Sequence, residues 1–284
     1  MNGKPNAKKF KLKFPLSKYF GNVARRLRKA ALAQGQNLHN NGDLVRLMRF
    51  TPTKEGTSVN LRVEPTDYST FMATNLSLDK VMWPVGKAGK NVSLVQYCGN
   101  GLLKLDNPCM ANALNVIAMI VTTDGFTFLP RRSSAVYERP NTVQASVGGF
   151  VRYTKDGPEP PLDALKREIR EEWGIKVTDS ECRFLAFGIN RLTGEPDLIA
   201  IVKTGKTFEE VVGSHARLKD KFEFTNLRTM FLGIDRIDDL VLPLVSETWS
   251  QPSDRAAYLM MLFTQFPQAG AQIEGAIRKL PRLA

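Results

Sequence analysis

A chain of 284 residues with 43% apolar content can bury one large core or two modest ones, and it holds no uninterrupted apolar run of 18 residues that could span a bilayer. Its two histidines, His39 and His215, far apart in the sequence, argue against a histidine-based zinc site or a serine-histidine hydrolase, and three scattered cysteines, Cys98, Cys109 and Cys182, form neither a zinc spacing nor a disulfide framework. They point to a reducing, cytoplasmic setting in which acid chemistry rests on carboxylates, and the net charge of +12 sits in residues 1–54, where 13 lysines and arginines face one acid, Asp43.

Residues 1–43 read as a basic extension. Within it Leu16, Tyr19, Phe20, Val23, Leu27 and Ala31 recur at helical spacing while Lys18, Arg25, Arg26, Arg28 and Lys29 fall mostly elsewhere on the wheel, which predicts an amphipathic helix. A basic arm over residues 1–35 suits an anionic membrane surface, nucleic acid, or an organellar presequence that would direct the chain to the mitochondrial matrix; otherwise it packs its stripe on the domain behind it. Residues 44–108 contain β-like runs, 59–63 among them, and turn-rich text such as 84–91, and predict a β-rich subdomain. Residues 109–284 form the main domain with carboxy-terminal helices. There 116–121 and 126–129 read as strands split by the turn Thr122-Thr123-Asp124-Gly125, and 143–147 leads into Gly148-Gly149. Pro160 and Pro161 precede a helix that Gly174 ends. Beyond it 182–189, 198–202 and 231–234 are strand-like, 208–215, 235–245 and 272–279 are helical, and Ser253 is placed to cap a helix through 263.

The most informative segment is Arg167-Glu168-Ile169-Arg170-Glu171-Glu172-Trp173-Gly174-Ile175. Glu168, Glu171 and Glu172 fall at i, i+3 and i+4 on one side of the helix, beside an apolar stripe of Leu162, Leu165, Ile169 and Trp173. Like charges so spaced repel by roughly 0.2–0.5 kcal/mol per pair, so acids at the rim of a core call for a positive partner. A hard divalent cation, Mg²⁺ or Mn²⁺, binds through one or two carboxylates and keeps its other positions for water and phosphate. The alternative is a solvated acidic face partly neutralised by Arg167 and Arg170.

With Glu159 standing seven intervening residues ahead of Arg167, this segment resembles the signature of the Nudix hydrolases: glycine, five residues, glutamate, seven residues, then Arg-Glu-aliphatic-x-Glu-Glu-x-Gly-aliphatic. Ile169 and Ile175 fill the aliphatic places and Gly174 the late glycine. The front departs, because nine residues instead of five separate Gly149 from Glu159. The resemblance covers residues 112–245 and implies an α/β fold, a Nudix-type α/β/α sandwich around a mixed β-sheet. It also implies that Glu168, Glu171 and Glu172 bind the metal, that the Gly149 carbonyl adds a ligand, that Arg167 holds the glutamates by hydrogen bonding, and that Glu159 and Gly174 shape the box. One carboxylate accepts the proton of an attacking water, Glu168 first, with Glu195 and Asp197 as runners-up. Arg131 and Arg132, after a strand and before the glycines, are placed to grip substrate phosphates.

The activity so implied is metal-dependent hydrolysis of the diphosphate in a nucleoside diphosphate linked to another moiety. Residues 67–76 are similar to a segment of animal Nudix proteins that cleave UDP-sugars, which favours a nucleotide sugar. Asn190 stands where relatives acting on ADP-ribose carry proline, against that substrate. Two other readings are an RNA 5′-end pyrophosphohydrolase using the basic arm on the phosphate backbone, and a non-catalytic nucleotide-sensing module.

Overall fold

The computed structural model describes residues 16–33, 42–53, 58–79, 83–85, 90–101, 103–136, 138–218 and 224–278, so most of the expected extension around its helix, with His39, lies outside the described residues. In chain order the elements are α1 (Leu16–Ala33), β1 (Asp43–Pro52), β2 (Val59–Asp67), α2 (Tyr68–Ala73), β3 (Trp83–Val85), β4 (Lys90–Val92), α3 (Leu94–Cys98), β5 (Asn115–Val121), β6 (Phe126–Arg132), β7 (Val147–Phe150), β8 (Tyr153–Thr154), β9 (Gly157–Pro158), α4 (Pro161–Trp173), β10 (Cys182–Ile189), β11 (Pro196–Lys203), α5 (Phe208–Ala216), β12 (Phe224–Phe231), α6 (Ile237–Val241), α7 (Pro243–Ser246), α8 (Pro252–Gln265) and α9 (Gly270–Arg278). They divide into two compact units. Met1–Asn115, Phe150–Pro161 and Ile189–Asp197 make the first, and Val116–Gly149, Leu162–Gly188 and Leu198–Ala284 the second. Hydrogen bonding in the first unit draws on distant stretches. Val45 in β1 donates its N–H to the Val151 carbonyl (2.9 Å) and accepts from Leu114 (2.8 Å).

In the first unit β1 and β2 pair antiparallel, Asp43 opposite Asp67 and Pro52 opposite Val59. The expected β-rich region is interrupted by helices for local reasons. The Asp67 carboxylate accepts from the Thr70 N–H (2.9 Å) and caps α2, and Ser93 and Gln96 cap α3 reciprocally, each side chain taking the other's N–H. Tyr68 and Phe71 are buried, with the Phe71 ring edge-on to Phe150 at 4.9 Å. Val23 and Leu27 of α1 pack on a core of Ala73, Leu78, Leu94, Cys109 and Met110, while Arg25, Arg26 and Lys29 are exposed. The apolar stripe of this basic helix is thus docked on its own unit.

A buried guanidinium organises the same core. Arg46, only 1% exposed, donates through Nε to the Met110 carbonyl (3.0 Å) and through Nη2 to the Asn107 carbonyl (2.6 Å), and pairs with Glu64 at 3.3 Å. Burial lowers its pKa against the pull of Glu64. Arg46→Met removes the donors from two enclosed carbonyls, and urea denaturation should show a loss of about 2–3 kcal/mol; an unchanged midpoint would show that those bonds contribute nothing.

In the second unit the sheet runs β10-β11-β5-β6-β12, with β7 also on β5, and β6 is antiparallel to both β5 and β12. Every residue of β5 is buried, as a strand covered on both faces requires. One face, with Ile117, Met119, Leu129, Ile199 and Ile201, packs on Ile237, Leu240, Tyr258, Met261, Leu262 and Ile273 from α6, α8 and α9. Phe128 turns the other way, its ring 4.7 Å from that of Trp173 in α4. The unit is therefore mixed α/β, a mixed sheet with helices on both sides, as expected.

Four details of the chain-order reading are corrected. The glycine pair lies inside β7, and Val143 makes only isolated bridges to Arg131 and Trp249. No strand forms at 232–234, because β12 spans Phe224–Phe231 and a helical turn opens at Ile234. Pro243 opens a new helix and splits 235–245 into α6 and α7, since it has no N–H to continue the first. The cap of α8 is Gln251 and not Ser253, in a reciprocal pair with Asp254. Asp254 is itself buried, accepting from the N–H groups of Ala145 (3.0 Å) and Gln251 (3.2 Å), and burial pushes its carboxyl up to about 6. The native state then holds this proton more tightly than the unfolded chain, so the group's stabilising contribution is complete below about pH 4 and is lost as pH rises to about 6. Stability measured from pH 4 to 7 should fall across that window, and less so in Asp254→Asn. Among the described residues no helix is long and apolar enough to cross a membrane.

Candidate active site

The box helix is placed by its apolar face. Ala164, Leu165, Ile169 and Trp173 are buried, and the Trp173 indole donates to the Ser146 carbonyl at 2.7 Å, tying the end of α4 beside the strand that carries the glycine pair. Gly174 ends the helix at φ +70, with its N–H on the Arg170 carbonyl at 3.1 Å. His215 Nδ1 meets the backbone carbonyl of Glu172 at 2.8 Å, a contact from 43 residues away that nothing in the sequence signals.

The three glutamates divide two and one. Arg167, its side chain 10% exposed, directs a single nitrogen, Nη1, at both Glu168 Oε1 and Glu171 Oε2, the latter at 3.3 Å. Glu172 turns to the glycine strand, where Oε1 accepts from the Gly148 N–H at 3.4 Å. Among the described residues no group of three or more histidine, cysteine or acidic side chains stands close enough to hold a metal ion. The helical spacing thus places the acids on one side, while their carboxylates do not form a closed cage.

Gly149 shows how tightly the first of these acids is seated. A Cβ built there would lie 2.6 Å from Glu168 Cγ and inside its carboxylate, so the glutamate occupies the place where any other residue would carry its side chain. This close approach, with two carboxylates gathered on one point of positive charge, is a hard-oxygen donor set that fits a divalent cation of the magnesium type, which asks for only one or two protein carboxylates.

Several expected participants have local roles. Glu159 belongs to the first unit, where its carboxylate accepts from the Arg152 N–H (3.1 Å) and its own N–H reaches the Arg152 carbonyl (2.9 Å). These bonds close the β8–β9 hairpin, into which the extra loop residues fold around Gly157 at φ +119. Glu195 and Asp197 are buried in the first unit, Asp197 receiving the Asn115 amide at 3.2 Å. Arg131 bonds the Asn141 carbonyl (2.8 Å) and Glu247 (2.7 Å); Arg132 bonds the Glu138 carbonyl (2.9 Å) and the Gln144 side chain (2.6 Å). The arginine pair expected to grip phosphates is held by protein acceptors.

No family model and no curated protein matches the chain. Among solved structures, similarity is found to a MutT protein of Methanosarcina mazei Go1 (22% identity, 55% of this chain and 93% of that one, TM-score 0.35) and to a MutT/nudix family protein of Enterococcus faecalis (12%, 58% and 67%, TM-score 0.37). A Deinococcus radiodurans protein is similar at 19% identity over 63% of this chain and 96% of that one, with a TM-score of 0.36. At these TM-scores the likeness decides neither the fold nor the activity, and the Nudix reading rests on the box and its geometry.

Proposed function

We propose that the chain is a Nudix-type, divalent-metal-dependent hydrolase that opens the diphosphate bond of a nucleoside diphosphate joined to a second moiety. The observation that carries this is the seat of Glu168 against Gly149, with Arg167 gathering Glu168 and Glu171 on one nitrogen. Glu168 and Glu171 would hold Mg²⁺ or Mn²⁺, with the Gly149 carbonyl as a further oxygen, and Glu172 would join them on leaving the Gly148 N–H. When bound, the cation neutralises phosphate oxygens and lowers the pKa of a coordinated water. The water oxygen bonds to one phosphorus as the bridging P–O bond breaks, and a carboxylate, assigned to Glu168, accepts the proton. Arg167 positions the acids and does not touch the reacting atoms.

The second moiety is left as a class. Residues 67–76 give a sugar no weight, since Asp67 caps α2 and both aromatics are core. The test is a panel of nucleotide sugars, dinucleotides, coenzyme A and 5′-triphosphorylated RNA, incubated with Mg²⁺ or Mn²⁺ and with chelator, and read by ³¹P NMR. One substrate should yield two phosphorylated products, or pyrophosphate from the RNA, only with metal present. Tight nucleotide binding with no turnover would instead establish a sensing module.

A further inference from the structure

The first unit brings together two cysteines that stand apart in the sequence, and they serve no purpose in the hydrolytic reading. Cys98 ends α3 and is partly exposed; Cys109 is buried in the core below it. They meet through Asn107, whose Oδ1 accepts from the Cys98 thiol at 4.0 Å and from the Cys109 N–H at 2.9 Å. The intervening loop is already closed by the same residue. The Asn107 amide reaches the Gly101 carbonyl at 2.8 Å, its N–H the Lys104 carbonyl at 3.0 Å, and its carbonyl the Met110 N–H at 3.2 Å. The scatter of cysteines in the sequence gave no hint of this, because the fold of an eleven-residue separation sets the distance.

The Cys98 sulfur is electronically prepared. A hydrogen bond from the Cys109 thiol, opposed by burial, brings the Cys98 thiol down to about 7. Cys182 is the opposite case, for burial pushes its thiol up to about 11.

We propose that Cys98 and Cys109 form a dithiol redox site, oxidised to an intramolecular disulfide by hydroperoxides. The Cys98 thiolate attacks a peroxide oxygen; the O–O bond breaks, hydroxide or alkoxide leaves with a proton, and Cys98 becomes a sulfenic acid. The Cys109 sulfur then attacks the Cys98 sulfur, the S–S bond forms as the S–O bond breaks, and water leaves with the Cys109 proton. Two thiols are oxidised and one hydroperoxide is reduced. Thiol reductants reverse it, as suits a reducing compartment where protein disulfides are transient.

The experiment uses the full reduced chain at pH 7.4 and hydrogen peroxide, quenched with N-ethylmaleimide and digested without reductant. The expected product is a peptide pair linked through Cys98 and Cys109, with Cys182 unlinked. In Cys109→Ser the first step stops at a sulfenic acid on Cys98 that dimedone traps. Before oxidation, iodoacetamide should label Cys98 at least tenfold faster than Cys182, a readout that needs no variant. Cys98 labelled no faster than Cys182, or cross-links that join only separate chains, would overturn the proposal. Its failure would leave the hydrolytic reading standing, since peroxide chemistry is read by peptide mass and not by turnover.

Discussion

Gly149→Ala should reduce turnover at least a hundredfold while the protein still folds. The new methyl would fall on the Glu168 side chain, whose carboxylate is the movable partner because it ends a flexible chain while the glycine backbone is held in β7. Displacing that carboxylate by about an ångström is enough to lose two orders of magnitude in an oriented reaction. The cost to the fold is that of a local overpacking, about 1–3 kcal/mol. Measured beside Glu168→Gln, the two changes act on one group, so the double variant should be little worse than either single one. Additive losses, or an alanine variant with full turnover, would show that the seat of Glu168 has no part in the chemistry.

Trp173→Ala should cost about 3–5 kcal/mol, the range for removing a large core aromatic. The side chain is fully buried, with rings of Phe128 and His215 at 4.7 and 5.2 Å, and its indole N–H is on the Ser146 carbonyl. Trp173→Phe retains most of the apolar contact and leaves that carbonyl without its donor, so its loss should be nearer 1–3 kcal/mol. Guanidinium unfolding of the two variants separates packing from hydrogen bonding. A phenylalanine variant as stable as the native chain would mean that the indole bond contributes nothing.

What was legible in the sequence was what depends on near neighbours. The side of α4 that carries Glu168, Glu171 and Glu172, the buried stripe through Ile169 and Trp173, and the glycine stop follow from helical period and backbone sterics. Strands β5, β6, β10 and β11 were legible, β5 because a doubly covered strand writes continuous apolar text, whereas β7 and β12 were misplaced. What escaped depends on partners brought from afar. Arg131 and Arg132 looked available for phosphate until Glu247, more than a hundred residues on, and Gln144 were found to hold them. The approach of Gly149 to Glu168 needs the packing of a strand on a helix, and the split of the glutamates between Arg167 and Gly148 needs side-chain rotamers. Asp67 and Tyr68 looked like a substrate signature, whereas a cap and a core contact account for them.

The bonds of Val45 with Leu114 and Val151 bear on how the chain is made. During synthesis the edge of the first hairpin stays without those mates until residue 151 has left the ribosome, a hundred residues later. Cutting the gene at residue 109 to express the box-bearing half alone would strip 114 and 151 of their common strand, so truncation there should yield aggregating protein rather than a smaller folded one.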